Sequence, residues 1–388
     1  MFHKMSFNPQ CITTGQMNMI FNARIIWRRL TTWTRTYYLS RYSGLGDAQE
    51  LFGRIYVEAL DFGDMLQIAF GRETSNTFTQ LINQFSIILR DLITSHIEGD
   101  QEAVAENVNR LYRNADEIAA FMASINPYWK EAEWRDFFRG SVQSLLEEIN
   151  SFTSGEYQLD IEIIDRVSNL TGDMGEAFAQ GLFEYLTAGL QCGLAESGQG
   201  QCFTIEQVNA IYDIRTFWFE LVSWTRAYMG SRYFGVLDPD EVFARLRQVP
   251  VDYVNRLIQV FGPSPYADEL LYELNIYLDL LSQLITAQIE NNQEEIDRIT
   301  RLLYQNAVNR VRLISTINPF YSEEEWRRRL FSNLRDTINE SITFLTKDFA
   351  RNLDIYSTLL ALAESASDYF AQGIINYINA NRNVPEQE

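Results

Sequence analysis

The sequence predicts an all-α protein built from two tandem, homologous helical bundles, each with about five long and two short helices. Three observations predict it: apolar residues recur with a helical period, start and stop residues bracket the periodic segments, and one set of motifs occurs twice in the same order. Val104, Val108, Leu111, Ala115, Ile118, Met122 and Ile125 step by 4, 3, 4, 3, 4 and 3, which lines one face of a helix. No run alternates convincingly with the period of two that a half-buried strand requires.

The internal repeat fixes the domain plan. Trp27, Trp33-Thr34-Arg35 and Ser40-Arg41-Tyr42 return as Trp218, Trp224-Thr225-Arg226 and Ser231-Arg232-Tyr233, an offset of 191. Phe70-Gly71 returns as Phe261-Gly262; beyond it the offset is 192, so one residue is inserted in a loop. Asn114-Ala115, Ile125-Asn126-Pro127, Trp134-Arg135 and Phe178-Ala179-Gln180-Gly181 then match Asn306-Ala307, Ile317-Asn318-Pro319, Trp326-Arg327 and Phe370-Ala371-Gln372-Gly373. The division read from this is an N-terminal arm over 1–16, a first copy over 17–190, a Gly/Ser/Gln-rich linker over 191–203, a second copy over 204–380 and a polar tail over 381–388.

Within the first copy a long helix over 17–42 carries the Trp-Thr-Arg and Ser-Arg-Tyr segments. Shorter helices follow near 48–58 and 60–70; Asp47 and Glu50 have the spacing of a capping box, as do Asp238 and Glu241 with Pro239 between them. Long helices are expected near 74–97, 101–124, 131–153 and 160–188. Asn126-Pro127 ends the third of the long helices, because the residue before proline is pushed out of helical geometry. Thr204 with Gln207 and Ser322 with Glu325 give start signals in the second copy. The long helices pair as an antiparallel bundle, and the two short ones form a cap.

Composition narrows function mainly by exclusion. The 388 residues are 46% apolar and 22% charged, typical of a globular chain. Lys+Arg 32 against Asp+Glu 52 leaves −20, which argues against nucleic acid and against docking on anionic lipid. No apolar run approaches the length of a membrane span, and the first residues lack the apolar core of a secretory signal, so synthesis as a cytoplasmic protein is expected, with incorporation into a particle or coat as an extension. Only His3 and His96 are present, and His96 reads as a surface residue. Nucleophilic triads therefore fail for want of histidine, and no phosphate-binding glycine loop occurs. No catalytic residue, cofactor or metal ligand set is expected. The carboxylates Glu147, Glu148, Glu156, Asp160, Glu162 and Asp165 read as a solvated acidic face rather than a hard-cation site.

One ligand pocket is conceivable, formed by Trp33, Arg35 and Arg41 and, in the second copy, by Trp224, Arg226 and Arg232. A guanidinium among aromatic rings suits an anion; the competing reading packs the arginine stems on the rings and pairs their heads with helix carboxylates. Cys11, Cys192 and Cys202 are the candidate cross-linking residues. Cys192 and Cys202 bracket the linker and are placed to close a small loop; Cys11 is left over and suits a bond to a neighbouring chain; three reduced thiols are the default.

The run from Asn114 to Ala119, Ser124-Ile125-Asn126-Pro127-Tyr128-Trp129 with Trp134, and Trp27 with Trp33-Thr34-Arg35 resemble a family of small all-helical proteins of spore-forming bacteria. Those proteins often carry the automatic label acetylglutamate kinase, a label at odds with their helical sequences and their lack of a nucleotide-binding loop. The resemblance covers nearly all of the first copy and, more weakly, the second, and it implies a fold but no activity. It also implies that histidines of relatives fall where this chain has Leu30 and Leu221, Phe85 and Tyr277, and Gly140 and Ser332. On that basis an apolar repacked core is expected; Leu30, Phe85, Leu221 and Tyr277 sit on the helix faces that carry Trp and other apolar residues, which predicts that all four are buried. The leading expectation for function is a non-enzymatic structural or assembly protein, a coat or particle component that partners itself in a homo-oligomer. The alternatives are a carboxylate-type metal-binding or storage bundle, and a bundle that binds a small anionic ligand.

Overall fold

A computed structural model describes residues 11–187 and 202–382. The protein is all-α and divides into two compact units, Met1–Ile205 and Glu206–Glu388. The described part of the first unit begins with the two-residue strand β1 (Ile12–Thr13), followed by helices α1 (Thr14–Ser43), α2 (Ala48–Glu98), α3 (Gln101–Ile125), α4 (Glu131–Ser154) and α5 (Tyr157–Thr187). Strand β2 (Cys202–Phe203) closes it. The second contains α6 (Ile205–Phe234, whose first residue falls in the first unit), α7 (Pro239–Phe261), α8 (Pro265–Ile289), α9 (Gln293–Ile317), α10 (Glu323–Leu345) and α11 (Phe349–Arg382).

Helix ends follow local chemistry. Gly44, Gly99 and Gly155 terminate α1, α2 and α4 in left-handed conformation. Asp238 accepts from the amides of Asp240 and Glu241 with Pro239 at the first helical position, and Ser322 accepts from the amide of Glu325. Asp47 departs from the expected cap: its carboxylate accepts from the Ser40 hydroxyl instead of from an amide of α2. A complete capping box occurs at Thr13 and Gln16, each side chain bonded to the other's backbone.

The two short helices expected near 48–58 and 60–70 are one continuous helix, because nothing between Glu58 and Phe62 interrupts the backbone pattern. The break expected between 70 and 74 is present, at Gly71, where φ is 82° and ψ 171°. Gly262 has the matching φ of 82° and ψ of 168° between α7 and α8. A side chain is strained at such a φ, so glycine is required at both corners. The extra residue of the second repeat lies just after this corner, where Pro263 and Ser264 lead into α8.

In the first unit α1 packs on α2 and α5, α3 on α2 and α4, and α4 on α5. Their shared core is aromatic. Trp27 meets Phe62 at 4.4 Å between ring centroids, and Trp129 stacks on Phe178 at 4.9 Å. Trp134 is fully buried beside both. In the second unit Trp218 stacks on the fully buried Trp326 at 5.5 Å. The first Asn-Pro corner does more than end a helix. Asn126 accepts from the Tyr128 amide and donates 2.9 Å to the Gly181 carbonyl, tying the α3–α4 corner to α5. A Cβ on Gly181 would collide with the Trp129 ring, so this approach also needs glycine. Asn114 donates to the Leu81 carbonyl, and Asn306 to that of Glu273, so each Asn-Ala pair fastens one long helix to another.

The cysteines pair differently from either linkage read in the sequence. Ile12 faces Phe203 and Thr13 faces Cys202 in an antiparallel ladder, and Cys11 is bonded to Cys202. The segment at 11–13 is therefore part of the first unit rather than an arm available to another chain. Cys11-x-Thr13-x-x-Gln16-x-Asn18 recurs as Cys202-x-Thr204-x-x-Gln207-x-Asn209, so the repeat reaches further toward the N-terminus than residue 17. The disulfide joins positions 191 apart, the repeat offset itself. Cys192 and residues 1–10 lie outside the described residues.

Candidate functional site: a cavity beside Arg35

The six arginines and tryptophans proposed as ligand contacts do not form one pocket. Trp33, in α1, donates its indole N–H to Glu58 of α2 at 3.2 Å, and Arg29 holds the other oxygen of that carboxylate at 2.8 Å. Arg41 reaches the Thr94 hydroxyl at 3.1 Å near the end of α2. Arg232 repeats this at Thr286, 3.0 Å away, with a second bond to the Tyr228 hydroxyl. Trp224 lies under the guanidinium of Arg245 at 5.0 Å. These residues fasten α1 to α2 in the first unit and α6 to α7 and α8 in the second.

Arg35 turns the other way, toward α4 and α5. Its guanidinium donates to Asp160 through both terminal nitrogens, to Glu148 at 3.2 Å and to the Tyr38 hydroxyl. Tyr38 donates 2.8 Å to the same Glu148 oxygen, Oε2. Asp160 is wholly buried and Glu148 is 5% exposed. Burial pushes the Glu148 carboxyl up; Arg35 and Tyr38 pull against that shift. Burial also disfavours the charged guanidinium, yet Tyr38, Asp160 and Glu148 outweigh it and hold Arg35 above the usual arginine range. Two of the carboxylates assigned to a solvated acidic face are thus buried on an arginine. A third, Glu147, pairs with Arg166 at the surface.

Next to this cluster lies a cavity of about 90 Å³. Its walls are chiefly apolar, with Trp27, Leu30, Phe85, Ile118, Phe138 and Met174 among them, and Arg35, Tyr38 and Glu148 at one end. Among the described residues no hydrogen bond reaches Glu148 Oε1. Leu30 is buried, as its helix face predicts, and so are Leu221 and Tyr277. Phe85 is only half-buried, because it borders this space instead of filling it. Sequence periodicity places these residues on inward faces but carries no information on whether their volumes fill the interior.

The second unit uses the same positions differently. Arg226 donates to Glu340 and to Asn352, both at 2.6 Å, and is flanked by the rings of Phe344 and Tyr356 at 4.8 and 4.4 Å. Asn352 stands where the first repeat has Asp160, Tyr277 where it has Phe85, and Arg310 where it has Ile118. Arg310 is 4% exposed, is bonded to Asn306 at 2.9 Å and lies 4.5 Å over the Tyr277 ring.

His96, read from the sequence as a surface residue, is half-buried near the end of α2. Its Nδ1 is 3.0 Å from the Tyr42 hydroxyl, and the rings meet edge to face. Gln288 takes the corresponding bond from Tyr233 at 2.8 Å. Among the described residues no group of three or more His, Cys, Asp or Glu is arranged to hold a metal ion, and no helix is long and apolar enough to cross a membrane. No protein-family model, curated protein or solved structure matches this chain.

Proposed function

We propose that the protein is a non-enzymatic binding bundle whose first unit holds a small, largely apolar molecule. The cavity beside Arg35 carries this reading: apolar walls, one polar end, and a volume of about 90 Å³. An engineered apolar cavity of about 150 Å³ holds benzene, with its six carbons, so by proportion the space suits a ligand of about four non-hydrogen atoms. The arginines favour this over an anionic ligand, since an anion at Arg35 has to displace Glu148 and Asp160. Cys11, offered to a neighbouring chain on the sequence reading, is engaged with Cys202 and supplies no link between subunits in that state. The test is calorimetric titration with propan-1-ol. Saturable binding to the wild type that is lost in Val142→Phe, which fills the cavity from α4, supports the reading. Absence of binding, or binding equal in the filled variant, removes it.

A further inference from the structure

We infer that the cavity of the first unit selects a cation: a small apolar amine or guanidine whose charged end sits at Glu148. The inference rests on the proposed binding role and adds the chemical class of the ligand.

The first argument is charge. Arg35 is one cation facing two buried carboxylates, Glu148 and Asp160. Asp160 takes both terminal nitrogens of Arg35 and sits in the first turn of α5, where the helix end also favours an anion. Glu148 is the carboxylate left short. Its Oε2 accepts from Arg35 and Tyr38, and Oε1 has no donor among the described residues, while the residue itself lines the cavity. A buried carboxylate without a full complement of partners either takes a proton or attracts a cation. An ammonium placed in the cavity supplies both the missing charge and a donor for Oε1.

The second argument comes from the other repeat. There the extra acid is absent, since Asn352 replaces Asp160, and Arg226 faces Glu340 alone as a carboxylate. At the positions that bound the first unit's cavity, the second unit places a cation of its own. Arg310 occupies the Ile118 position and lays its guanidinium on the ring at the Phe85 position. An aromatic face attracts a cation in this geometry. The second unit fills the matching positions with its own guanidinium, held by Asn306, and its Glu340 Oε2 is buried without a partner among the described residues; the first leaves apolar space that ends at Glu148. Phe85 and Trp27 offer the aromatic surface for a bound ligand's charged or apolar end.

The experiment compares three probes of four non-hydrogen atoms each and different charge: propylamine, propan-1-ol and acetate. Each is titrated calorimetrically at pH 7.5 into the full-length wild type and into Asp160→Asn and Ile118→Arg. The wild type is expected to bind the amine at least tenfold more tightly than the alcohol, and the carboxylate more weakly than either. Asp160→Asn reproduces the Arg-Glu-Asn set of the second unit, so it is expected to fold; it should lower amine affinity about tenfold while leaving alcohol affinity unchanged. Ile118→Arg should abolish binding of both. If the alcohol binds as well as the amine, or Asp160→Asn weakens both equally, selection for a cation is overturned while the apolar binding site stands. If no probe binds the wild type, the site and the inference fall together.

Discussion

Replacing Arg35 with methionine isolates the energetics of the buried cluster. Methionine keeps much of the apolar stem and removes the only cation paired with Glu148 and Asp160 among the described residues. The side chains of those two residues are 7% and 0% exposed, so solvent cannot take over the lost bonds. Breaking a buried pair by removing one partner costs about 3–5 kcal/mol, because the remaining charge is left uncompensated. With two carboxylates stranded, the upper part of that range is expected at pH 7.5. For a domain of this size the urea midpoint of the first unit should fall by about 2 M. Lowering the pH to 5 should recover part of the loss, since Glu148 already takes up a proton more readily than an exposed carboxyl. The neutral combination Arg35→Met, Glu148→Gln and Asp160→Asn should be more stable than Arg35→Met alone. The assay is urea unfolding followed by far-UV circular dichroism, with the transitions assigned by hydrogen exchange. A cost below about 1 kcal/mol at pH 7.5, or a triple variant no better than the single, would mean that water solvates the carboxylates and that the cluster is misdescribed.

Three further outcomes are expected. Reducing the Cys11–Cys202 bond opens a loop of 191 residues, and the chain-entropy relation gives up to about 5 kcal/mol lost from the first unit, read as the difference between oxidised and reduced denaturation midpoints; equal midpoints would refute it. Burial raises the Glu148 and Glu340 carboxyls above their ordinary value of about 4.5, so the folded state binds more protons than the unfolded one and stability must fall as pH rises through that value toward the raised folded one. Glu340→Gln should flatten this slope in the second unit, and an unchanged slope would contradict the assignment. Trp134→Ala, at a fully buried site, should cost about 3–5 kcal/mol, whereas Phe85→Ala should cost less because it enlarges an existing space; the comparison is made by thermal or urea unfolding, and a Phe85 cost equal to that of Trp134 would show that the cavity is not there.

The amino-acid sequence by itself determined that the chain is helical, where most helices begin and end, and that one pattern of motifs occurs twice. These are local matters. A glycine at a positive φ, an asparagine before proline and a stripe with helical period act within a few residues, so they can be read in order along the chain. The capping box at Thr13 and the repeated Cys-x-Thr were equally local and legible. Where reading failed locally, it placed an extra break near Leu60 that no residue there imposes; the break it placed between 70 and 74 is the corner at Gly71. The tertiary structure alone decided the partners of the arginines. Arg35 and Arg41 lie six positions apart on α1, less than two helical turns, yet one reaches α4 and α5 while the other reaches α2. It alone decided that Cys202 bonds Cys11, since that depends on which strands meet. It also decided that the space bounded by Phe85 and Ile118 stays open while the matching positions of the second unit hold a guanidinium. Whether an interior is filled depends on side-chain volumes summed across several helices, and on where each head group finds its counter-charge, which no single helix specifies.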